Sequence, residues 1–230
     1  MKPTSASELI DLQSAIDQRI PLLEGLSVLA APLADLVEPL FPQEAALVAG
    51  SSAGRRREFS TGRVLARRAM MELGLPAQAI ERGDNRAPLW PAGLVGSISH
   101  SSGWAVACVG LSSRFRSVGI DLECRQRVSE RLHRKLFTDN ERRLLAPFDT
   151  ERAGLMFSAK EAGYKATNPL CGRYIGFQEA EVDLQPGEDR FRLRYVGAYE
   201  ENRVMEQASG YSLKYGPYVL SLVIIPADTD

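Results

Sequence analysis

The stretch Ser117-Val118-Gly119-Ile120-Asp121-Leu122-Glu123 alternates between apolar residues and small or acidic ones. Successive side chains of a β-strand point to opposite faces. Val118, Ile120 and Leu122 therefore enter a core, while Asp121 and Glu123 stand side by side on the other face with Gly119. Lacking a side chain, Gly119 leaves room there for a bulky neighbour. Two carboxylates this close repel unless a cation sits between them. The plainest alternative is a half-buried strand with a wet acidic face. What separates the two readings is a second charged cluster further along the chain.

With 230 residues the chain is long enough for one large domain or two small ones with a real core. Lys and Arg number 28 against 29 Asp and Glu, a net charge of −1. That balance argues against a general nucleic-acid binder, which is usually basic overall, so any anion site must be a local cluster. Cys108, Cys124 and Cys171 are widely spaced and form no C-x-x-C pair, which suggests neither a zinc site nor a disulfide framework. Met1-Lys2-Pro3 is not followed by an apolar run, and no stretch of ~18 apolar residues occurs. The expectation is a cytoplasmic protein, with no membrane or nucleic-acid partner, acting as a monomer.

Taken in order, residues 5–20 read as an amphipathic helix and 26–33 as a strand. A short helix follows at 43–49. Arg55 to Arg68 holds six arginines and continues to Gly74, a plausible helix end. Arg56, Arg63 and Arg67 share a face by spacing. They make either a solvated basic face or a phosphate site, where the planar guanidinium binds two oxygens at once. Residues 81–93 read as a loop anchored by Trp90. Strands at 94–99 and 104–109 flank Ser97-Ile98-Ser99-His100-Ser101-Ser102-Gly103, a polar hairpin end suited to anion contacts. Residues 111–116 read as an exposed linker.

Helices are expected at 128–136 and at 139–146, the second capped by Asp139. A longer helix, 150–166, is capped by Asp149 or Thr150. On it Glu161 and Lys165 share a face, with Lys160 and Tyr164 in the neighbouring row. Gly163 in its interior hints at a close approach, because glycine is unfavourable there. Residues 179–184, 191–196, 211–215 and 218–225 read as antiparallel hairpins. The order of elements suggests an α+β chain of two similar halves, although no sequence repeat is evident.

Three stretches together, Gly96-Ser97-Ile98-Ser99-His100-Ser101, Val118-Gly119-Ile120-Asp121-Leu122-Glu123 and Phe157-Ser158-Ala159-Lys160-Glu161-Ala162-Gly163-Tyr164-Lys165-Ala166, resemble the 4′-phosphopantetheinyl transferases. The likeness is to the surfactin- and enterobactin-synthetase type. Arg55-Arg56-Arg57-Glu58-Phe59 with Gly62-Arg63, and Arg82-Gly83-Asp84 with Leu89-Trp90-Pro91, add to it. The match runs from Arg55 to Ala166, and one residue departs from it: Phe157 stands where many members have Trp. The resemblance implies two α/β halves in a pseudo-twofold arrangement, residues 1–113 and 117–230, with the active site between them.

It also implies a reaction in which the phosphopantetheine of coenzyme A passes to a serine of an apo acyl or peptidyl carrier protein, releasing adenosine 3′,5′-bisphosphate. By resemblance, Asp121, Glu123 and Glu161 hold Mg²⁺ or Mn²⁺. Glu161 is also a candidate base, and His100, Glu161 and Lys165 count as catalytic. Lys160 and Lys165 would neutralise the pyrophosphate. Arg55 and Arg63, with Arg56 as helper, would hold the 3′-phosphate. Arg82, Gly83, Asp84 and Asn85 would line the nucleotide side, and Ser99 and His100 would contact a phosphate. Two other readings stay open: a metal-dependent nucleotide pyrophosphatase, and a non-catalytic module docking its Arg55–Arg68 helix on an acidic partner or nucleic acid.

Overall fold

The computed structural model of the chain describes residues 11–34, 38–83, 87–145, 149–187 and 189–228. Helix α1 (Asp11–Arg19) lies along strand β1 (Leu26–Pro32). The Gln13 side chain ties the two together, donating to Val28 O at 3.1 Å and accepting from Ala30 N at 2.7 Å. Residues 5–10 of the expected first helix lie outside the described residues. A short helix α2 (Pro42–Ala46) precedes the long α3 (Ala53–Glu72). The Ser52 side chain caps α3, and Gly74, at φ +75°, follows its end in the left-handed region that glycine adopts without strain. A two-residue hairpin, β2 (Glu81–Arg82) and β3 (Pro88–Leu89), leads into β4 (Leu94–Ser101) and β5 (Trp104–Leu111). The antiparallel order is β1-β5-β4.

Only three residues separate β5 from β6 (Phe115–Cys124), so the expected exposed linker is a tight turn, and Phe115 is already buried. Helices α4 (Glu130–Leu136), α5 (Asp139–Leu144) and α6 (Thr150–Cys171) follow. The cap of α5 is Thr138 rather than Asp139, through a capping box with Glu141. Helix α6 runs five residues past the expected end, through Pro169 to Gly172 at φ +68°. Strands β7 (Ala180–Leu184), β8 (Arg190–Tyr195), β9 (Ser209–Tyr215) and β10 (Tyr218–Pro226) complete a five-stranded sheet ordered β6-β10-β9-β8-β7.

Alternation decides the layers. Ala105, Ala107 and Val109 of β5 pack under α3 with Leu65, Ala69 and Met70. Trp104, Val106 and Cys108 face the other way and share a central core with Val118, Ile120 and Leu122 of β6, as the alternation predicts. Burial there pushes the Cys108 thiol up to about 12, leaving it inert as a nucleophile. A third cluster lies under α6, with Ala159 and Ala162 against Val223 and Ile225 of β10. Strands β4 and β6 are both sheet edges and lie along each other. The result is a mixed α+β fold with one long helix on each flank. Among the described residues no helix is long and apolar enough to cross a membrane.

Candidate active site

The strand β6 carries its carboxylates where the alternation places them, but the face is not wet. Asp121 is 3% exposed and Glu123 8%. The space beside Gly119 is taken by α6, since a Cβ there would lie 2.0 Å from Ala162 O. Glycine thus lets the helix backbone rest on the strand and brings Glu161 and Lys165 over the carboxylates. Gly163 has a different cause: a Cβ would meet Leu193 of β8 at 2.5 Å, so the approach foreseen there is core packing.

Lys165 spends all three N–H groups at the junction of β4 and β6. Its Nζ donates to Asp121 Oδ1 at 2.8 Å, to Ile120 O at 3.0 Å and to Ser99 Oγ at 3.1 Å. Ser99 Oγ donates to Asp121 Oδ1 at 3.0 Å. Two residues along each strand, Ser101 Oγ donates to Glu123 Oε2 at 3.4 Å. Arg127 Nη1 donates to both oxygens of Glu123, at 3.2 and 3.0 Å. Ser101 belongs to the polar hairpin end expected to make anion contacts, and here its hydroxyl serves a carboxylate; no site role was expected of Arg127. The parity that marked Ser99 also marks Ser101, whereas Arg127 lies four residues after Glu123, past the end of the strand on a single 3-10 turn.

Charge is crowded here. Burial first, and the neighbouring Asp121 second, push the carboxyls of Glu123 and Glu161 above their usual range. Asp121 Oδ2 is buried with no hydrogen-bond partner, and Glu161 has neither hydrogen bond nor ion pair among the described residues. A buried acceptor left this way is costly unless something binds it. No three Asp, Glu, His or Cys side chains among the described residues form a ready ligand set by themselves. Mg²⁺ does not need one, because it takes oxygen ligands and usually keeps waters and substrate phosphates in its shell. An all-oxygen donor set with an orphan carboxylate oxygen, whose mutual repulsion Lys165 and Arg127 relieve only in part, fits that ion.

Lys160 is not part of this cluster. It is 3% exposed, and its ammonium donates to Glu141 Oε2 at 2.5 Å, Leu136 O at 2.9 Å and Phe177 O at 2.7 Å. One residue along a helix turns the side chain by about 100°, so the neighbour of Glu161 faces the core of α4 to β7. Its three donors are consumed there, and its side chain is only 2% exposed against 26% for Lys165, so it is closed to a ligand from solvent.

The arginine helix divides in the same way. Arg55 Nη1 lies 2.9 Å from His100 Nε2 on β4 and donates to Glu58 Oε2 at 3.1 Å. Because arginine only donates, Nε2 carries the lone pair and the imidazole proton is on Nδ1. Burial lowers the His100 pKa, which keeps the ring neutral. Arg56 turns back to the carbonyl of Ser51 and does not join them. Arg63 and Arg67, expected either on a solvated basic face or at a phosphate, are 6% and 4% exposed. Arg63 donates through Nε to Ile80 O at 3.0 Å and through Nη2 to Glu81 O at 3.4 Å, with Phe59 stacked 4.6 Å away. Burial pulls it down to about 10, so it is still cationic at neutral pH. Arg67 pairs with the buried Glu44 and donates to Pro39 O. Arg82 is exposed on the hairpin that Arg63 holds, and Gly83 N closes that hairpin on Ala87 O at 2.9 Å. Asp84 and Asn85 lie outside the described residues.

Comparison with known proteins gives the same direction. Residues 43–110 match the family model of the 4′-phosphopantetheinyl transferase N-terminal domain, and residues 117–223 match that of the 4′-phosphopantetheinyl transferase superfamily. The chain is 42% identical over 146 residues to the 4′-phosphopantetheinyl transferase Npt of Nocardia iowensis, covering 63% of this chain and 66% of that protein. Identity to the 4′-phosphopantetheinyl transferase PptT of Mycobacterium tuberculosis is 38% over 160 residues, 67% of this chain and 70% of the relative. Enterobactin synthase component D of Salmonella typhi is 42% identical over 139 residues, 57% of this chain and 56% of its own length.

Proposed function

Because this chain belongs to the 4′-phosphopantetheinyl transferases, we propose that it moves phosphopantetheine from coenzyme A to a serine hydroxyl of an apo acyl or peptidyl carrier protein. The serine oxygen forms a bond to the β-phosphorus of coenzyme A, the pyrophosphate P–O bond breaks, and adenosine 3′,5′-bisphosphate leaves. The observation that carries the proposal is the junction of β4, β6 and α6, where Ser99, Asp121, Glu161 and Lys165 meet. The resemblance from sequence and the relatives' names support the same reading.

In this proposal Asp121, Glu123 and Glu161 would hold Mg²⁺, which would supply charge neutralisation at the pyrophosphate. Lys165 offsets the negative charge that develops on the leaving bisphosphate, an electrostatic role of the kind typically worth ~10²–10³ in rate. Glu161 takes the serine proton, directly or through water; a bound Mg²⁺ would lower its pKa, so it acts as a weak base. Arg55 and His100 hold the 3′-phosphate of coenzyme A, His100 taking the tautomer with its proton on Nε2 once the phosphate draws Arg55 away. Arg63 acts one step removed, by fixing the backbone of 80 and 81 that presents Arg82 to the nucleotide. Residues 1–113 and 117–230 serve as two halves of one monomeric enzyme.

The test is mass spectrometry of several apo carrier proteins incubated with this protein, coenzyme A and Mg²⁺. A gain of one phosphopantetheine on serine, lost with excess chelator, is the expected result. Coenzyme A cleaved with no gain on any carrier would favour a nucleotide pyrophosphatase instead.

A further inference from the structure

The reading of Arg55 and His100 as phosphate contacts leaves one neighbour without a role. Glu58 lies one helical turn after Arg55 on α3, and its Oε2 accepts from Arg55 Nη1 at 3.1 Å. The same oxygen is 3.7 Å from His100 Nε2, on a different element of the fold. One carboxylate oxygen therefore already holds one of the groups assigned to the phosphate and lies beside the other. The side chains of Arg55, Glu58 and His100 are 51%, 31% and 35% exposed, so a ligand from solvent reaches all three. An exposed i,i+3 ion pair contributes little to stability, so stability gives no strong reason for an acid at this position.

We propose that Glu58 is a built-in counter-anion of the 3′-phosphate site, one that the incoming phosphate must displace. The inference rests on the assignment of Arg55 and His100 made above. A phosphate monoester brings close to two negative charges near neutral pH. Glu58 has no proton to donate when ionised, so it repels that group while competing for Arg55. The consequence reaches past substrate capture. The leaving adenosine 3′,5′-bisphosphate keeps the 3′-phosphate, so every contact to it holds substrate and product equally. Uniform binding of this kind lowers KM without accelerating chemistry, and a product held too tightly limits turnover. Glu58 weakens the grip on both, which keeps the site around Arg55 exchangeable.

Glu58→Gln keeps the size of the side chain and an acceptor for Arg55 while removing the charge. Isothermal titration of the metal-free full chain with coenzyme A, dephospho-coenzyme A and adenosine 3′,5′-bisphosphate measures its effect at low and high salt. The expected result is about three- to tenfold tighter binding of coenzyme A and of the bisphosphate, with dephospho-coenzyme A unchanged and the gain shrinking at high salt. Wild-type protein that prefers coenzyme A to dephospho-coenzyme A, together with a Gln variant that binds coenzyme A no more tightly, would overturn the counter-anion and leave the phosphate site standing. Glu58 would then serve only to orient Arg55. Wild-type protein with no preference between the two cofactors removes the assignment of Arg55 and His100, and the counter-anion with it.

Discussion

Each flank of the molecule is pinned by a buried glutamate on a short helix, and the two pins are alike bond for bond. Glu44 of α2 accepts through Oε2 from Phe41 N at its own helix cap and from Arg67 of the long helix α3, and through Oε1 from Ile80 N at 3.0 Å, just before β2. Glu141 of α5 accepts through Oε2 from Thr138 N at its cap and from Lys160 of the long helix α6, and through Oε1 from Val182 N of β7 at 2.9 Å. In both cases one carboxylate joins a short helix, a long helix and the backbone that enters the next strand. The cation differs: Arg67 extends its fork to Pro39 O, while Lys160 spends its other donors on Leu136 O and Phe177 O. The chemistry differs more. The residue after Lys160 is Glu161 and Lys165 follows five later, both at the junction with β6. On α3 the residue four before Arg67 is Arg63, which holds backbone carbonyls. The comparison teaches that the support was kept in both flanks and that charge was turned toward a reacting centre in only one.

The strongest test of the parallel removes the two cations. Arg67→Met and Lys160→Met each leave a buried carboxylate without its partner, a loss typically costing ~3–5 kcal/mol. Urea unfolding should show losses of similar size in the two variants. Adding Glu141→Gln to Lys160→Met should recover a large part of the loss, since the stranded charge goes. If Arg67→Met unfolds like wild type while Lys160→Met does not, the two pins are not equivalent.

Next in size is the contrast between the pinned lysine and the lysine at the junction. Asp121→Asn and Lys165→Met should each slow transfer by ~10²–10³, read as kcat with a saturating carrier. Lys165→Met should also lower the melting temperature of metal-free protein, because it strands the buried Asp121. Polar-face burial makes this a different expectation from the one the helix spacing alone suggests. Normal turnover in Asp121→Asn would remove the junction from the reaction.

A smaller effect separates the arginines of α3. Arg55→Ala should weaken coenzyme A by ~1.5–3 kcal/mol, the usual worth of a charge-assisted hydrogen bond, and leave dephospho-coenzyme A nearly alone. Arg63→Ala should weaken both cofactors together and destabilise the fold, since its guanidinium serves the backbone of 80 and 81. Selective loss toward coenzyme A in Arg63→Ala would instead put that residue on the phosphate.

These contrasts also mark where sequence reasoning reached and where it stopped. The alternation from Ser117 to Glu123 sufficed for the strand, its two faces and the role of Gly119, because period two and a missing side chain are local properties. It did not tell that the acidic face is covered, since the covering comes from β4 and α6, remote in sequence. Helical spacing grouped Glu161 with Lys165 correctly. It could not say that Lys160 turns inward, because periodicity tells which residues share a face and not what that face meets. Arg67 was misread for the same reason: its partner Glu44 lies on another helix, 23 positions earlier. The likeness of the two flanks was visible only as an order of elements. The residues at the pins differ, Arg for Lys and Phe41 for Thr138, and only the hydrogen bonds repeat.

The smallest expected effect tests whether the junction stores unfavourable charge before any ion arrives. Burial and Asp121 raise the Glu161 carboxyl above its ordinary 4.5. A carboxyl with a raised pKa in the folded chain binds its proton more tightly there than when unfolded. Ionising it therefore costs stability as pH rises from the ordinary value through the raised one, and the whole cost is present above the latter. Glu161→Gln removes the charge, so in excess chelator at pH 8 the variant should melt higher than wild type. The difference should be ~1–3 °C, because the group is only partly buried and water screens it. Toward pH 4 the two curves should converge as wild-type Glu161 takes up its proton. Glu123 carries the same sign, opposed by Arg127, so a residual slope should persist in the variant. Adding Mg²⁺ should raise the wild-type melting temperature by mass action and the variant's less. A Gln variant that melts below wild type at pH 8 without metal would mean that Lys165 already compensates the charge, and the argument from crowding for a cation at this junction would fail.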